Sequence, residues 1–147
     1  MNDHVETETV FESTGPHWTF SVMHAAHLIE DRIEGALGRV GLSIAKHGAL
    51  SELESAGEPL TLSQLAARLS CVRSNMTQLV DRLESDGLVK RVDDPADRRS
   101  VRAELTALGK EKQRAGDKAV KRVQAEFAAS LTTRERTALE AALGALK

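Results

Sequence analysis

One cysteine among 147 residues cannot form an intrachain disulfide, so no disulfide framework staples this chain. No segment approaches the roughly 18 consecutive apolar residues of a membrane-crossing helix, and no N-terminal signal pattern appears, so the expectation is a cytoplasmic protein without membrane association. A nucleophile-base constellation, a phosphate-cradling loop and a metal-ligand spacing are missing too, which leaves nothing to suggest an enzyme, a cofactor or a metal centre. A basic excess is missing as well. Lys and Arg number 20 against 22 Asp and Glu, a net charge of −2. What remains is ordinary: 41% apolar and 29% charged residues, enough for one domain with its own core.

The charge is unevenly placed. Residues 1–12 hold four acids and no Lys or Arg, and read as a disordered acidic tail ahead of a single domain over 13–147. Thr61–Thr106 carries eight Lys or Arg against seven acids, and Ala107–Ala129 six against three, so positive charge is local rather than a general field.

Periodicity supplies the main signal. Leu62, Leu65, Ala66 and Leu69 fall at i, i+3, i+4 and i+7, and Met76, Leu79, Val80 and Leu83 repeat the spacing, which predicts two short amphipathic helices joined by a tight turn. Thr61 with Gln64 forms a capping box at the start of the first, and Gly87 stops the second. The outer face of the second helix collects Arg73, Ser74, Asn75, Thr77, Gln78, Asp81 and Arg82. Donors and acceptors near a helix N-terminus, with cations alongside, are what a major groove requires. Two alternating segments follow, Val89–Asp93 and Val101–Leu105, with a loop from Asp94 to Ser100 that holds Pro95, Asp97, Arg98 and Arg99. The combination predicts a mainly α chain with a small β-wing, a winged helix-turn-helix over about 43–106 that binds double-stranded DNA.

The wing, with Asp97, Arg98 and Arg99 followed by Leu105 and Thr106, resembles the signature of the MarR family of bacterial transcription regulators, and the resemblance runs from about Phe20 to the C-terminus. It implies DNA contacts from Ser63, Arg73, Ser74, Asn75, Thr77, Gln78 and Arg82 of the helix pair and from Arg98 and Arg99 of the wing, with the Asp97 carboxylate orienting Arg99 for the minor groove. The bland alternatives are solvated helix arginines and a surface ion pair at the wing, worth under about 1 kcal/mol. Two positions depart from the family pattern: Val72 precedes the helix arginine where a small or capping residue is common, and Ser70 stands where glycine often does.

The rest reads as helix: about 17–37 with apolar stripes on two sides (Val22, Ala26, Ile29, Ile33 and Leu37; Phe20, Met23, His27 and Leu28), a second from the Ser43 cap to about Ala56, a long one from Thr106 to about Ser130 with Leu108, Ala115, Ala119, Val123 and Phe127 inward, and a last one from the Thr132–Glu135 capping box to about Leu146. Flanking helices of this length exceed what a small winged core covers. The expected cover is a second copy, so helices 17–37 and 106–146 are assigned to dimerisation and the DNA target to an inverted repeat.

The resemblance also implies release from DNA by a small effector, aromatic or phenolic in many relatives, making the chain a repressor. His47 aligns with a cleft-lining aromatic of those relatives, and Trp18, His24 and His27 can join it; the alternative, histidines satisfied inside the fold, has equal weight. A redox or metal sensor on the same fold is the competing function. Cys71 in the turn reads instead as a buried structural thiol, since peroxide-sensing relatives carry their cysteine near the N-terminal helix, and His24 with His27 lacks further ligands.

Overall fold

The computed structural model describes residues 17–70 and 73–146, without the side chains of residues 73 and 74; the acidic segment 1–12 and Cys71 lie outside the described residues. Packing divides the chain into two units, one through Asp31 and one from Arg32 onward. The first helix, α1 (Trp18–Gly38), crosses that boundary.

The second unit continues with α2 (Ile44–Ala56), β1 (Leu60–Thr61), α3 (Leu62–Arg68), α4 (Arg73–Ser85), β2 (Val89–Asp93), β3 (Val101–Leu105), α5 (Ala107–Ala129) and α6 (Thr133–Gly144). The sheet is antiparallel in the order β1-β3-β2, with Arg91 opposite Ala103 on one side and Leu60 opposite Ala103 on the other. Three helices, a small antiparallel sheet and a protruding β2–β3 loop make a winged helix-turn-helix. The two-residue β1 is an addition to the expected pair of strands. It precedes α3 directly, so the extended conformation of the Thr61 cap (φ −63°, ψ 155°) serves sheet and helix start at once.

Local chemistry explains the boundaries. Ser43 accepts the Lys46 N–H and caps α2, while Thr61 and Gln64 exchange bonds as a capping box, as do Thr132 and Glu135 at α6. Gly87 ends α4 in the left-handed region at φ +74°, where Leu88 donates back to the Leu83 carbonyl. In the turn between α3 and α4 the same region is occupied by Ser70, at φ +54°, the one positive-φ residue other than glycine among those described. A side chain there is strained by about 1 kcal/mol.

The core sits where α2, α3, α4 and the sheet meet. Leu50 of α2, Leu65 of α3, Met76, Val80 and Leu83 of α4, Val89 of β2 and Ala103 of β3 are all shielded from solvent, and a fully buried aliphatic side chain contributes about 1.5–3 kcal/mol. The apolar spacing read for the helix pair is therefore its buried face.

One expectation requires correction. Leu108 does not face inward; it is exposed, and the buried line of α5 is Gly109, Gln113, Gly116 and Val123. A Cβ on Gly109 would stand 1.9 Å from the Leu88 carbonyl oxygen, and one on Gly116 2.4 Å from His47 Cδ2, so α5 packs by backbone approach that an apolar pattern does not register. In the single chain the apolar stripes of α1 from Trp18 to Leu28 are exposed, and only Ala36 and Leu37 of that helix are buried. The last helix, α6, buries none of its residues, though Leu139 and Leu143 lie one turn apart.

Candidate nucleic-acid interface

The second helix of the pair, α4, turns Met76, Val80 and Leu83 into the core, and this fixes the opposite face outward. Asn75, Thr77, Gln78 and Arg82 are exposed on it, and Ser63 is exposed near the start of α3. Arg73 and Ser74 open α4, so their backbone lies at its N-terminal end. Ser63, Asn75, Thr77, Gln78 and Arg82 are therefore all at the surface of the helix pair. Asp81, read on the same face, is instead paired: it accepts from the Arg91 guanidinium of β2, whose fork also reaches Glu84. The Asp81 hydrogen bond and then Glu84 hold the Arg91 pKa above its ordinary value against the opposing effect of burial.

The wing tip is organised by two aspartates. Asp94 Oδ1 accepts the Ala96 N–H at 3.0 Å and Asp97 Oδ1 accepts the Arg99 N–H at 2.9 Å, two successive Asx turns, and the Ser100 N–H closes back on the Asp97 carbonyl. Asp97 thus orients Arg99 through its backbone. No bond to the guanidinium joins them among the described residues, so the surface ion pair weighed for this position is not formed. Arg98 and Arg99 are both exposed.

Charge is sorted within the motif. Lys90 pairs with Glu104 at 3.3 Å, Arg91 with Asp81 and Glu84, and Arg102 with Asp94 at 3.1 Å. Arg82, Arg98 and Arg99 have no ion pair among the described residues. The cations left uncommitted are those on the outer helix face and the wing tip. Sequence reasoning missed Asp94 and Arg102. The Asp94-Pro95 turn signal pointed to the first, whereas an arginine in a five-residue strand carried no signal of its inward role.

The remaining candidates fall elsewhere. His47 of α2 lies against α5, its Nε2 3.0 Å from Asp117 Oδ1 and 3.4 Å from Ser51 Oγ, with its side chain 15% exposed. Trp18, His24 and His27 belong to the first unit and are exposed; His27 Nδ1 is 3.8 Å from Glu30. No group of three or more metal-ligating side chains occurs among the described residues, and no helix there is long and apolar enough to cross a membrane.

Comparison with known proteins finds the same pattern. A MarR family model matches residues 40–100, the segment from the turn before α2 through the wing tip. Over this segment the chain resembles the MarR family. It is similar to the uncharacterized HTH-type transcriptional regulator YsmB of Bacillus subtilis, 33% identical over 89 residues, which are 60% of each protein, so the match spans under two thirds of that relative. Among solved structures it is similar to a mutant MarR from Escherichia coli complexed with operator DNA, with 24% identity over 87% of this chain and 91% of that one and a TM-score of 0.77. It is likewise similar to the organohalide-sensing regulator RdhR in its 2,4-dichlorophenol-bound form, with 25% identity over 95% of this chain and 87% of that one and a TM-score of 0.76.

Proposed function

We propose that this chain is a DNA-binding transcriptional regulator of MarR type that lays α4 in the major groove and the Arg98–Arg99 tip in the adjacent minor groove. The sorting of charge carries the reading: the strand cations Lys90, Arg91 and Arg102 are neutralised by acids, and Arg82, Arg98 and Arg99 are left for phosphates and base edges. The operator-bound MarR of the same fold supports it.

A homodimer completes the proposal. Trp18, Phe20, Met23 and Leu28 of α1 and Leu139, Leu143 and Leu146 at the C-terminal end are exposed large apolar side chains in the single chain, surface that a second copy would cover. A second copy covering these helices presents two α4 helices to an inverted repeat with half-sites about one helical turn, roughly 10 base pairs, apart. Footprinting of a selected operator should show two symmetric half-sites; a monomer on one unsymmetrical half-site would overturn this. Release by a small aromatic or phenolic effector, and hence repression, is supported by the dichlorophenol-bound neighbour. For the site itself, His47 is the one candidate for which a second reading gains from geometry, because its ring is committed to Asp117 and packed on Gly116. Trp18, His24 and His27 stay with the effector proposal.

A further inference from the structure

The wing tip stands at the end of two five-residue strands, and it can meet a groove only if its lateral position relative to α3 and α4 is held. Two residues with no part in the proposed DNA contacts do this. Asp94, at the end of β2, is 7% exposed, although it lies in an otherwise exposed loop. Its Oδ1 accepts the Ala96 N–H at 3.0 Å and stands in an ion pair with Arg102 Nε, 3.1 Å away without the alignment of a hydrogen bond. From β3 the Arg102 guanidinium then reaches across the sheet, and Nη1 donates to the Pro59 carbonyl at 3.1 Å. Pro59 immediately precedes β1, whose Thr61 is both the register partner of Arg102 and the cap of α3. An unbroken path thus runs from the tip turn, through Asp94 and Arg102, to the start of the helix pair.

We propose that Asp94 and Arg102 are the positioning residues of the wing, holding the Arg98–Arg99 tip in line with α4 so that both meet DNA together. This rests on the reading that the tip contacts DNA. Arg102 Nε is buried and has the Asp94 carboxylate as its facing charge, so removing either partner strands the other and frees the tip turn. A freed tip still carries both arginines but must be ordered on each binding event, an entropic cost that lowers affinity without removing any DNA contact.

The test is a cycle on mixed-sequence duplex DNA with the full chain, using Arg102→Leu, the near-isosteric Asp94→Asn, the pair Arg98→Ala with Arg99→Ala, and combinations. Arg102→Leu and Asp94→Asn should each weaken binding about tenfold, Arg102→Lys less. Added to the tip pair, neither should weaken it further, because an absent tip needs no positioning. Amide exchange at Ala96, Arg99 and Ser100 should quicken while that of α4 stays slow. If the tip pair weakens binding and folded Asp94→Asn does not, or if its loss adds fully to that of the tip pair, the inference falls alone. If the tip pair itself leaves binding unchanged, the DNA reading of the wing falls and takes the inference with it.

Discussion

Arg91 of β2 is bonded to Glu84 of α4 by two separate donors, its backbone N–H to Oε2 at 3.1 Å and its guanidinium to Oε1 at 2.8 Å. The same guanidinium reaches Asp81 one turn earlier, so the wing's first strand is tied to α4 at two points. Arg91→Ala should therefore lower stability by about 1–2 kcal/mol, more than a typical exposed pair because the site is networked and part-buried. Since this charge is already neutralised, the salt dependence of DNA binding should keep its slope, which denaturant melts and a salt titration of affinity would check together.

Arg99→Ala should behave in the opposite way. The side chain is exposed and has no acid partner among the described residues, so its loss should weaken binding to operator and unrelated DNA alike and lower the salt slope by about 1. Asn75→Ala and Gln78→Ala should cost about 1–3 kcal/mol on the operator and little on random DNA, if either makes a bidentate contact to adenine. Affinities on both DNAs across a salt series separate the roles. An Arg99→Ala protein with unchanged slope would remove the wing from the interface.

Much of this arrangement is legible in the sequence because it is written in short-range chemistry. The capping boxes at Thr61 and Thr132, the Gly87 stop and the i, i+3, i+4 spacing of Met76, Leu79, Val80 and Leu83 each depend on residues within one or two turns. What escapes is contact between distant segments. β1 has two residues and therefore no alternation to detect, and the Arg102 bond to Pro59 spans 43 positions. The inward face of α5 escapes for a different reason: it is made by glycines, and a periodicity of apolar side chains points to Leu108 beside the true contact at Gly109. The Asp97 turn shows the middle case, in which the residue is recognised and its bond falls on the Arg99 backbone rather than its side chain.

Ser70→Gly should stabilise the protein. Ser70 holds φ +54°, a strained conformation for a residue with a Cβ, and glycine relieves that strain while adding freedom to the unfolded chain. The two effects oppose each other and leave a net gain of about 0.5 kcal/mol, whereas a β-branched Ser70→Val should destabilise by more than 1 kcal/mol or so. Chemical denaturation of the three proteins would show the order; a Ser70→Gly protein less stable than the parent would mean that the serine side chain makes a compensating bond.

The Asp94 carboxyl gives the wing a pH signature. The Ala96 N–H foremost, then Arg102 and the Ser100 hydroxyl, hold its pKa below the ordinary 3.8, against the upward push of burial. A carboxyl depressed in the folded state contributes stability that is present above its unfolded value and is lost as pH falls through the folded one. The stability difference between wild type and Asp94→Asn should thus be constant near neutrality, shrink below about pH 4 and vanish in stronger acid. Melting curves across that range test it, and a gap that widens on acidification would contradict the direction of the shift.

His47 and Gly116 provide the last prediction, which separates packing from ligand contact. The imidazole lies over Gly116 with Nε2 on Asp117, so it ties α2 to α5 at a point where the second helix has given up its side chain. Gly116→Ala would press a methyl to 2.4 Å from the His47 ring and 3.0 Å from Leu42 Cδ1, and because one neighbour is a bonded ring, the overlap should cost about 1–3 kcal/mol. His47→Ala should also destabilise, by a similar amount, through the emptied volume and the lost bond. In the double variant the two losses should fall short of their sum, since the alanine ring-space accommodates the new methyl. Melting of the four proteins gives that coupling directly. An effector-binding His47 makes a different pattern: His47→Ala would melt within about 0.5 kcal/mol of wild type, an ordinary surface effect, and lose only ligand-induced release of DNA.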